Sequence, residues 1–406
     1  MLTRFLLVVL ACFAATNAAA GTDYPALFEA TWSTVNSNFY DPGFHGVDWK
    51  AVGARYRAKL GQVKNDKDFE QLTSAMLKDL GTSHIYIVPP KDSSASGVGI
   101  GVRFRELGGE NLVSEVAPLS DAGVRIGERL LSPRGTLSGP AGSIASARFQ
   151  GCDGKVHGIS AHRIGAFWPP THPGFSWSIT KLAAGHSIGY LRIDRFDDGA
   201  ALLADQAMAA LKDTDGLIID IRANSGGNAS ALRLQSYFAP GAAPGFALFA
   251  RPYLQALGRS VTKADVLGAA KVVGAYTDEG IFAAVSSNKG AATFWSEDMG
   301  DKRYTKPVVV LAGENTASAA EGFAWTMRAL SQVKFVGRKT GGALLSAQDF
   351  ALSGGWSLTI PVQGVWGPDG LDYRDRAVVP DVQVNWTRAE MCTGRDPDVA
   401  AALKLL

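Results

Sequence analysis

Cysteine is scarce: three residues in a chain of 406, too few for a stapled scaffold and without the Cys/His spacing that a zinc site needs. No phosphate-cradling Gly-Lys-Ser/Thr loop is present either, so metal and nucleotide chemistry lack a signature and no cofactor is expected. Lysine and arginine never gather into a block, and the net charge is only +2, which removes the electrostatic case for a nucleic-acid or anionic-membrane partner. Charged residues make up 19% and hydrophobic ones 46%, a folded balance with room for two or three domains. Internal repeats and low-complexity tracts are missing as well.

What is present begins at residue 1. Arg4, the apolar stretch Phe5 to Ala15, and the small residues Ala18, Ala19 and Ala20 before Gly21 read as a secretory signal over 1–20. The stretch is too short to cross a bilayer. Export to a periplasm or the medium is therefore expected. A lipid-anchored form through Cys12 is the alternative, because Val9-Leu10-Ala11-Cys12 resembles a lipid-attachment box. Removal of the signal leaves Cys152 and Cys392, either bridged in an oxidising compartment or present as two buried thiols.

Four regions follow. Residues 22–90 read as helical, with Phe69, Leu72, Met76 and Leu80 on one apolar face and Asp41-Pro42-Gly43 as a turn. Lys91 to Gly97 reads as a linker. Over 97–165 the pattern changes to short strands, among them the segment after Gly99-Ile100-Gly101-Val102 and Leu112 to Val116. This part looks like a PDZ domain, whose glycine-containing loop holds a peptide C-terminus while the peptide adds to a sheet edge. Glu128 stands where an aspartate is usual, and a plain small β-barrel is the other reading. Pro169, Pro170 and Pro173 mark a connection to a region over 180–388, where apolar strands such as Gly216 to Ile221 and Val308 to Leu311 alternate with helices. Residues 389–406 read as a tail.

One serine stands at a chemically useful place. Ser318 lies in Glu314-Asn315-Thr316-Ala317-Ser318-Ala319-Ala320-Glu321, after the run Pro307 to Leu311 and before Phe323, Ala324, Met327 and Leu330 at helical spacing. A strand, a turn and a helix start put its hydroxyl at the carboxyl edge of a sheet, beside unpaired amides and the positive end of the helix dipole. An oxyanion formed there meets donors already in place. A base is needed, and six histidines are available: His45, His84, His157, His162, His172 and His186. His84 follows Leu80-Gly81-Thr82-Ser83, a helix end and turn able to present a side chain into a cleft. A second glycine signal, Asn224-Ser225-Gly226-Gly227-Asn228, comes straight after a buried strand and can bring amides close to a ligand. Taken singly, each of these also fits an ordinary role as helix cap, hydrogen-bonded histidine or turn.

Together the segments resemble the tricorn-like and C-terminal processing serine peptidases. The resemblance covers most of the chain after the signal, from Phe39-Tyr40-Asp41 to Val379-Pro380-Asp381. It rests most specifically on Asp220-Ile221-Arg222-Ala223-Asn224-Ser225-Gly226-Gly227 and Thr316 to Glu321. It implies an α/β fold, with a ClpP/crotonase-like catalytic core joined to the helical region and the PDZ-like β-rich domain. The C-terminal processing branch uses a lysine base, but Ala343 stands at that position here and Lys339 is offset from it. Ser83-His84 matches the tricorn-like branch, which uses histidine.

The resemblance therefore implies Ser318 as nucleophile, His84 as general base, and Ser83 as a relay from His84 to a carboxylate. Ala319 with Gly226 or Gly227 would form the oxyanion hole. The chain departs from the pattern at the carboxylate, where the family's glutamate is replaced by Arg374. In an extended segment Asp372 shares a face with Arg374, so Asp372 is the expected substitute and Asp375 the second choice. The expectation is an exported serine endopeptidase acting through an acyl-enzyme on a peptide or protein substrate, held by its C-terminus in the PDZ-like domain. An esterase using the same serine, or a weakened peptidase scaffold that binds peptides or hydrophobic ligands, are the alternatives.

Overall fold

The computed structural model of the chain describes residues 22–90, 98–164, 174–182 and 185–406. The expected signal with Cys12, the linker 91–97, the proline-marked connection and His172 lie outside the described residues.

The chemistry-bearing part is organised by a parallel sheet. Its strands run in the order Val382–Gln383, Val333–Gly337, Val308–Ala312, Gly216–Asp220, Ser187–Ile193 and Phe175–Lys181, and the last of these is antiparallel to its neighbour. Side chains alternate across a strand, and this sheet is covered on both faces. Val308, Val310, Leu217, Ile219 and Phe335 pack with Met208, Leu211, Phe323 and Met327 of the helices Ala200–Leu211 and Ala319–Arg328. Val309, Leu311, Ile218 and Val336 pack on the other face with Val399 and Ala402. The continuous apolar run that precedes Ser318 is thus a strand, Val308–Ala312, buried on both sides.

A second sheet meets the first. Tyr86–Val88 pairs with Ser357–Trp366, which pairs onward with Pro244–Ala250, while Ala291–Trp295 and Ala270–Val272 complete that side and Ser346–Ala351 also joins Ser357–Trp366. The N-terminal helices Tyr24–Asn38, Trp49–Arg57 and Asp66–Lys78 lie against it. Asp23, Asp48 and Asn65 cap them through side-chain oxygens, each type being short enough to reach the first free amides. Phe28, Phe39, Phe69 and Met76 are wholly buried there with Phe249, Trp356 and Leu358. The short pairing Tyr86↔Thr359 to Val88↔Ser357 holds the segment just after His84 against the strand Ser357–Trp366.

Residues 98–164 form an antiparallel five-stranded sheet, Val102–Leu107, Glu110–Val116, Arg129–Leu130, Ile144–Gln150 and Val156–His162, around Val113, Phe149 and Ala161. No α-helix lies in this stretch; its helical content is the 3₁₀ turn Arg134–Leu137. Residues 389–406, expected as a tail, are instead packed. Cys392 is in disulfide linkage with Cys152. Arg388 donates to the carbonyls of Gly127, Gln150 and Gly151 at 2.8–3.1 Å. Asp398 is fully buried and accepts from Arg222, Arg338 and Trp386 at 2.7, 2.8 and 3.0 Å. The C-terminal helices therefore clamp the β-domain to the core.

Candidate active site

Ser318 is carried on a strained elbow. After Val308–Ala312 the chain turns through Gly313 to Thr316, where the Thr316 hydroxyl accepts from the Gly313 amide at 3.1 Å and donates to the Ile221 carbonyl at 2.9 Å. The amide of Ala317 donates to Asn224 and that of Ser318 to Ala343, at 3.1 and 2.9 Å. Ser318 then takes φ 55°, ψ −127° immediately before the helix Ala319–Arg328. A non-glycine residue in this region costs on the order of 1–3 kcal/mol and persists only where its surroundings enforce it. Here the enforcement includes Glu321, which is fully buried and accepts from the Thr340 hydroxyl and the amides of Gly342 and Ala343 at 2.6–2.7 Å. Burial raises its carboxyl above the usual range against the pull of those donors. Glu321 thereby fixes the loop whose Ala343 carbonyl holds Ser318.

His84 also has a positive φ, 58°, three residues after Gly81 at 59°. The turn begins at the end of Asp66–Lys78, where the Gly81 amide still reaches Lys78, and it closes onto the strand at Tyr86. This geometry aims the imidazole across the sheets. Its Nε2 lies 3.1 Å from Ser318 Oγ, and its Nδ1 lies 3.0 Å from Ser83 Oγ, so 234 positions of sequence separation close to hydrogen-bond distance. Burial pushes the imidazole below its ordinary range, and no carboxylate acts on it. Lys339, by contrast, is exposed and makes no hydrogen bond to Ser318.

Two sequence expectations need correction. The amide of Gly226 donates to the Asn224 side chain at 2.9 Å, so Gly226 has no donor left for an oxyanion. Among the described residues no acceptor takes the amide of Gly227, and Ala319 is the first helical residue, whose amide has no acceptor within its helix. Gly226 matters instead for space: a Cβ there would come within 2.6 Å of Ser318 Cβ. A Cβ on Gly227 would lie 1.6 Å from the Phe196 carbonyl oxygen. Both glycines adopt positive φ, 119° and 133°.

The second correction concerns Asp372. Its carboxylate accepts from the Arg374 amide at 3.0 Å and lies 3.4 Å from the Arg374 guanidinium, and no hydrogen bond joins it to Ser83. Arg374 also faces Asp375 at 3.2 Å and Tyr40 Oη at 3.4 Å, and Tyr40 Oη lies 2.9 Å from His45 Nε2. The guanidinium draws both nearby carboxylates to itself, which is the physical reason that neither completes a relay. Burial raises Asp372 and lowers His45, consistent with an enclosed cluster. Asn224 and Glu321 are the supporting residues that sequence reasoning did not single out. Their signals were present, as a side-chain amide two residues before a glycine pair and a carboxylate one helical turn after Ser318.

Ser318 and His84 open onto a cleft of about 520 Å³. Gly227 and Ala319 line it beside the serine; Leu232, Phe246, Leu248 and Ile281 form an apolar wall, and Arg195 and Asp278 add charge. A hydroxyl with a neutral imidazole, two unengaged amides and an apolar recess can attack a carbonyl and stabilise the oxyanion that results.

Residues 187–384 match the model of peptidase family S41, and residues 21–78 match that of the tricorn protease C1 domain. The putative tricorn protease homolog 2 of Streptomyces coelicolor is 23% identical over 91% of the chain, which spans 31% of that relative's length. The carboxyl-terminal-processing protease of Synechocystis is 24% identical over 96% of the chain and 88% of its own. Among solved structures, mature CPAF complexed with lactacystin aligns over 95% of the chain and 98% of its own length, with a TM-score of 0.67 at 13% identity. The photosystem II D1 C-terminal processing protease aligns over 90% and 94%, with a TM-score of 0.55 at 18% identity.

Proposed function

Because this chain belongs to peptidase family S41 and is a serine-type peptidase, we propose that it is an exported endopeptidase that cleaves through an acyl-enzyme on Ser318. His84 Nε2 takes the proton from Ser318 Oγ as the oxygen adds to the scissile carbonyl. The amides of Gly227 and Ala319 receive the oxyanion. His84 then returns the proton to the departing amine, the C–N bond breaks, and a water activated by the same imidazole releases the acyl group. For Nε2 to accept, the ring proton must sit on Nδ1, where it donates to Ser83 Oγ.

The observation that carries this reading is the 3.1 Å contact between His84 and Ser318, two residues both held in left-handed backbone. Export is supported by the signal-like start and by the Cys152–Cys392 bridge, since disulfides persist in oxidising compartments. The ClpP/crotonase-like identity of the core and the PDZ-like identity of the β-domain are part of the same proposal. The sheet edge Val102–Leu107 would take an extended substrate tail, and a C-terminal processing role follows from the named relatives.

Arg374 and the missing link to Ser83 favour a slower enzyme over a different reaction. A fluorophosphonate probe tests the proposal: the wild-type protein should be labelled at Ser318 and Ser318→Ala should not. No labelling of freshly folded wild-type protein would leave only the ligand-binding alternative.

A further inference from the structure

One residue lining the cleft beside Ser318 carries a buried side-chain oxygen with no hydrogen-bond partner among the described residues. Gln235, on the short helix Ala231–Ser236, is 5% exposed and lines the catalytic cleft. Its Oε1 is buried without a hydrogen-bond partner among the described residues. Other buried polar atoms lack partners too, Asn224 Nδ2 and Ser230 Oγ among them, but Gln235 alone of that set lines the cleft. Gln363 shows the ordinary arrangement: equally buried, its Oε1 accepts from Ser346 at 2.8 Å. A buried carboxamide oxygen left unpaired is unfavourable, and a residue that also lines a substrate recess can gain its missing partner from the substrate by a turn of its side chain.

We propose that Gln235 determines specificity by reading a neutral hydrogen-bonding group at the far end of the side chain that precedes the scissile bond. The inference rests on the acyl-enzyme reading above. Leu232, Phe246, Leu248 and Ile281 would enclose the apolar stem of that side chain. Gly322, one helical turn beyond Ser318, keeps the helix side of the recess open. The tip is neutral because Gln235 offers no counter-charge, and a buried unpaired charge is strongly disfavoured. Of the carboxylates that line the cleft, Asp349 accepts from the Thr359 hydroxyl, and burial raises Asp278 above the usual carboxylate range, with Asp198 adding to the rise and Arg195 opposing it. Tyrosine and glutamine fit this description; phenylalanine and norleucine supply the stem without the tip. A site built around a buried hydrogen-bonding group rejects an analogue that lacks the complement more strongly than an apolar pocket rejects a missing methylene.

The test uses internally quenched peptides that are identical except for Tyr against Phe, and Gln against norleucine, at the residue donating the scissile carbonyl. Active enzyme is first titrated with a fluorophosphonate on Ser318, so failure of the nucleophile assignment appears as absent labelling before any preference is read. In wild-type protein kcat/KM should favour Tyr over Phe and Gln over norleucine by about ten- to a hundredfold. In Gln235→Leu, and in Gln235→Met should the first variant not fold, both ratios should fall below about two or invert. Equal rates on paired substrates by labelled wild-type enzyme, or a preference that survives both substitutions, would overturn the assignment.

Discussion

The loop that carries Ser318 and the loop that carries His84 open onto one cleft, yet they are secured to different degrees. Around Ser318, hydrogen bonds from Ala317, Ser318 and Thr316 reach Asn224, Ala343 and Ile221, and buried Glu321 locks the facing loop with three more. Around His84, apart from its contact with Ser318 itself, the described residues supply one side-chain bond, to Ser83, and a three-residue strand. Where a carboxylate would finish the base, Arg374 gathers Asp372, Asp375 and Tyr40 instead. The nucleophile side is over-determined and the base side is spare. The contrast fits the proposal of a Ser318–His84 pair that works without a carboxylate orienter.

Substitutions at the two loops separate these contributions, beginning with the largest. Ser318→Ala removes the attacking oxygen and should lower kcat/KM on a peptide substrate by on the order of 10⁴-fold or more. His84→Ala should cost about 10³-fold or more, while Lys339→Ala leaves the rate within twofold; the reverse pattern would move the base to lysine. Gly227→Ala forces a Cβ onto the Phe196 carbonyl and displaces one oxyanion donor, so kcat should fall by about 100-fold or more. Asp372→Ala closes the series. With no bond to Ser83, its loss should change kcat less than about threefold, and a hundredfold drop would restore Asp372 to a relay.

Much of the nucleophile side was legible in the sequence because its signals are local. An apolar strand, a turn and a helical repeat of Phe323, Ala324 and Met327 place Ser318 without any distant partner. His84 was legible through the helix end and turn at Leu80-Gly81-Thr82-Ser83 and the family resemblance, but its aim depends on the pairing of Tyr86–Val88 with strand residues far along the chain. The choice between Gly226 and Gly227 turns on one Asn224 hydrogen bond that spacing cannot reveal. Asp372 followed from strand alternation, but charge overruled it: a neighbouring guanidinium is a better partner than a serine hydroxyl. The Cys152–Cys392 bridge, 240 positions apart, and the packing of residues 389–406 needed three dimensions. So did Gln235, one amide in a short helix, notable only because its buried Oε1 has no hydrogen-bond partner among the described residues.

The pH dependence of fluorophosphonate capture by Ser318 tests the central claim most directly. His84 accepts a proton only when neutral, and burial lowers its pKa, so capture should rise with pH in a single step whose midpoint lies below ~6.5 and should vanish in His84→Ala. A midpoint at or above that value, or capture that persists at the wild-type rate without the imidazole, would contradict a buried His84 as the base that activates Ser318.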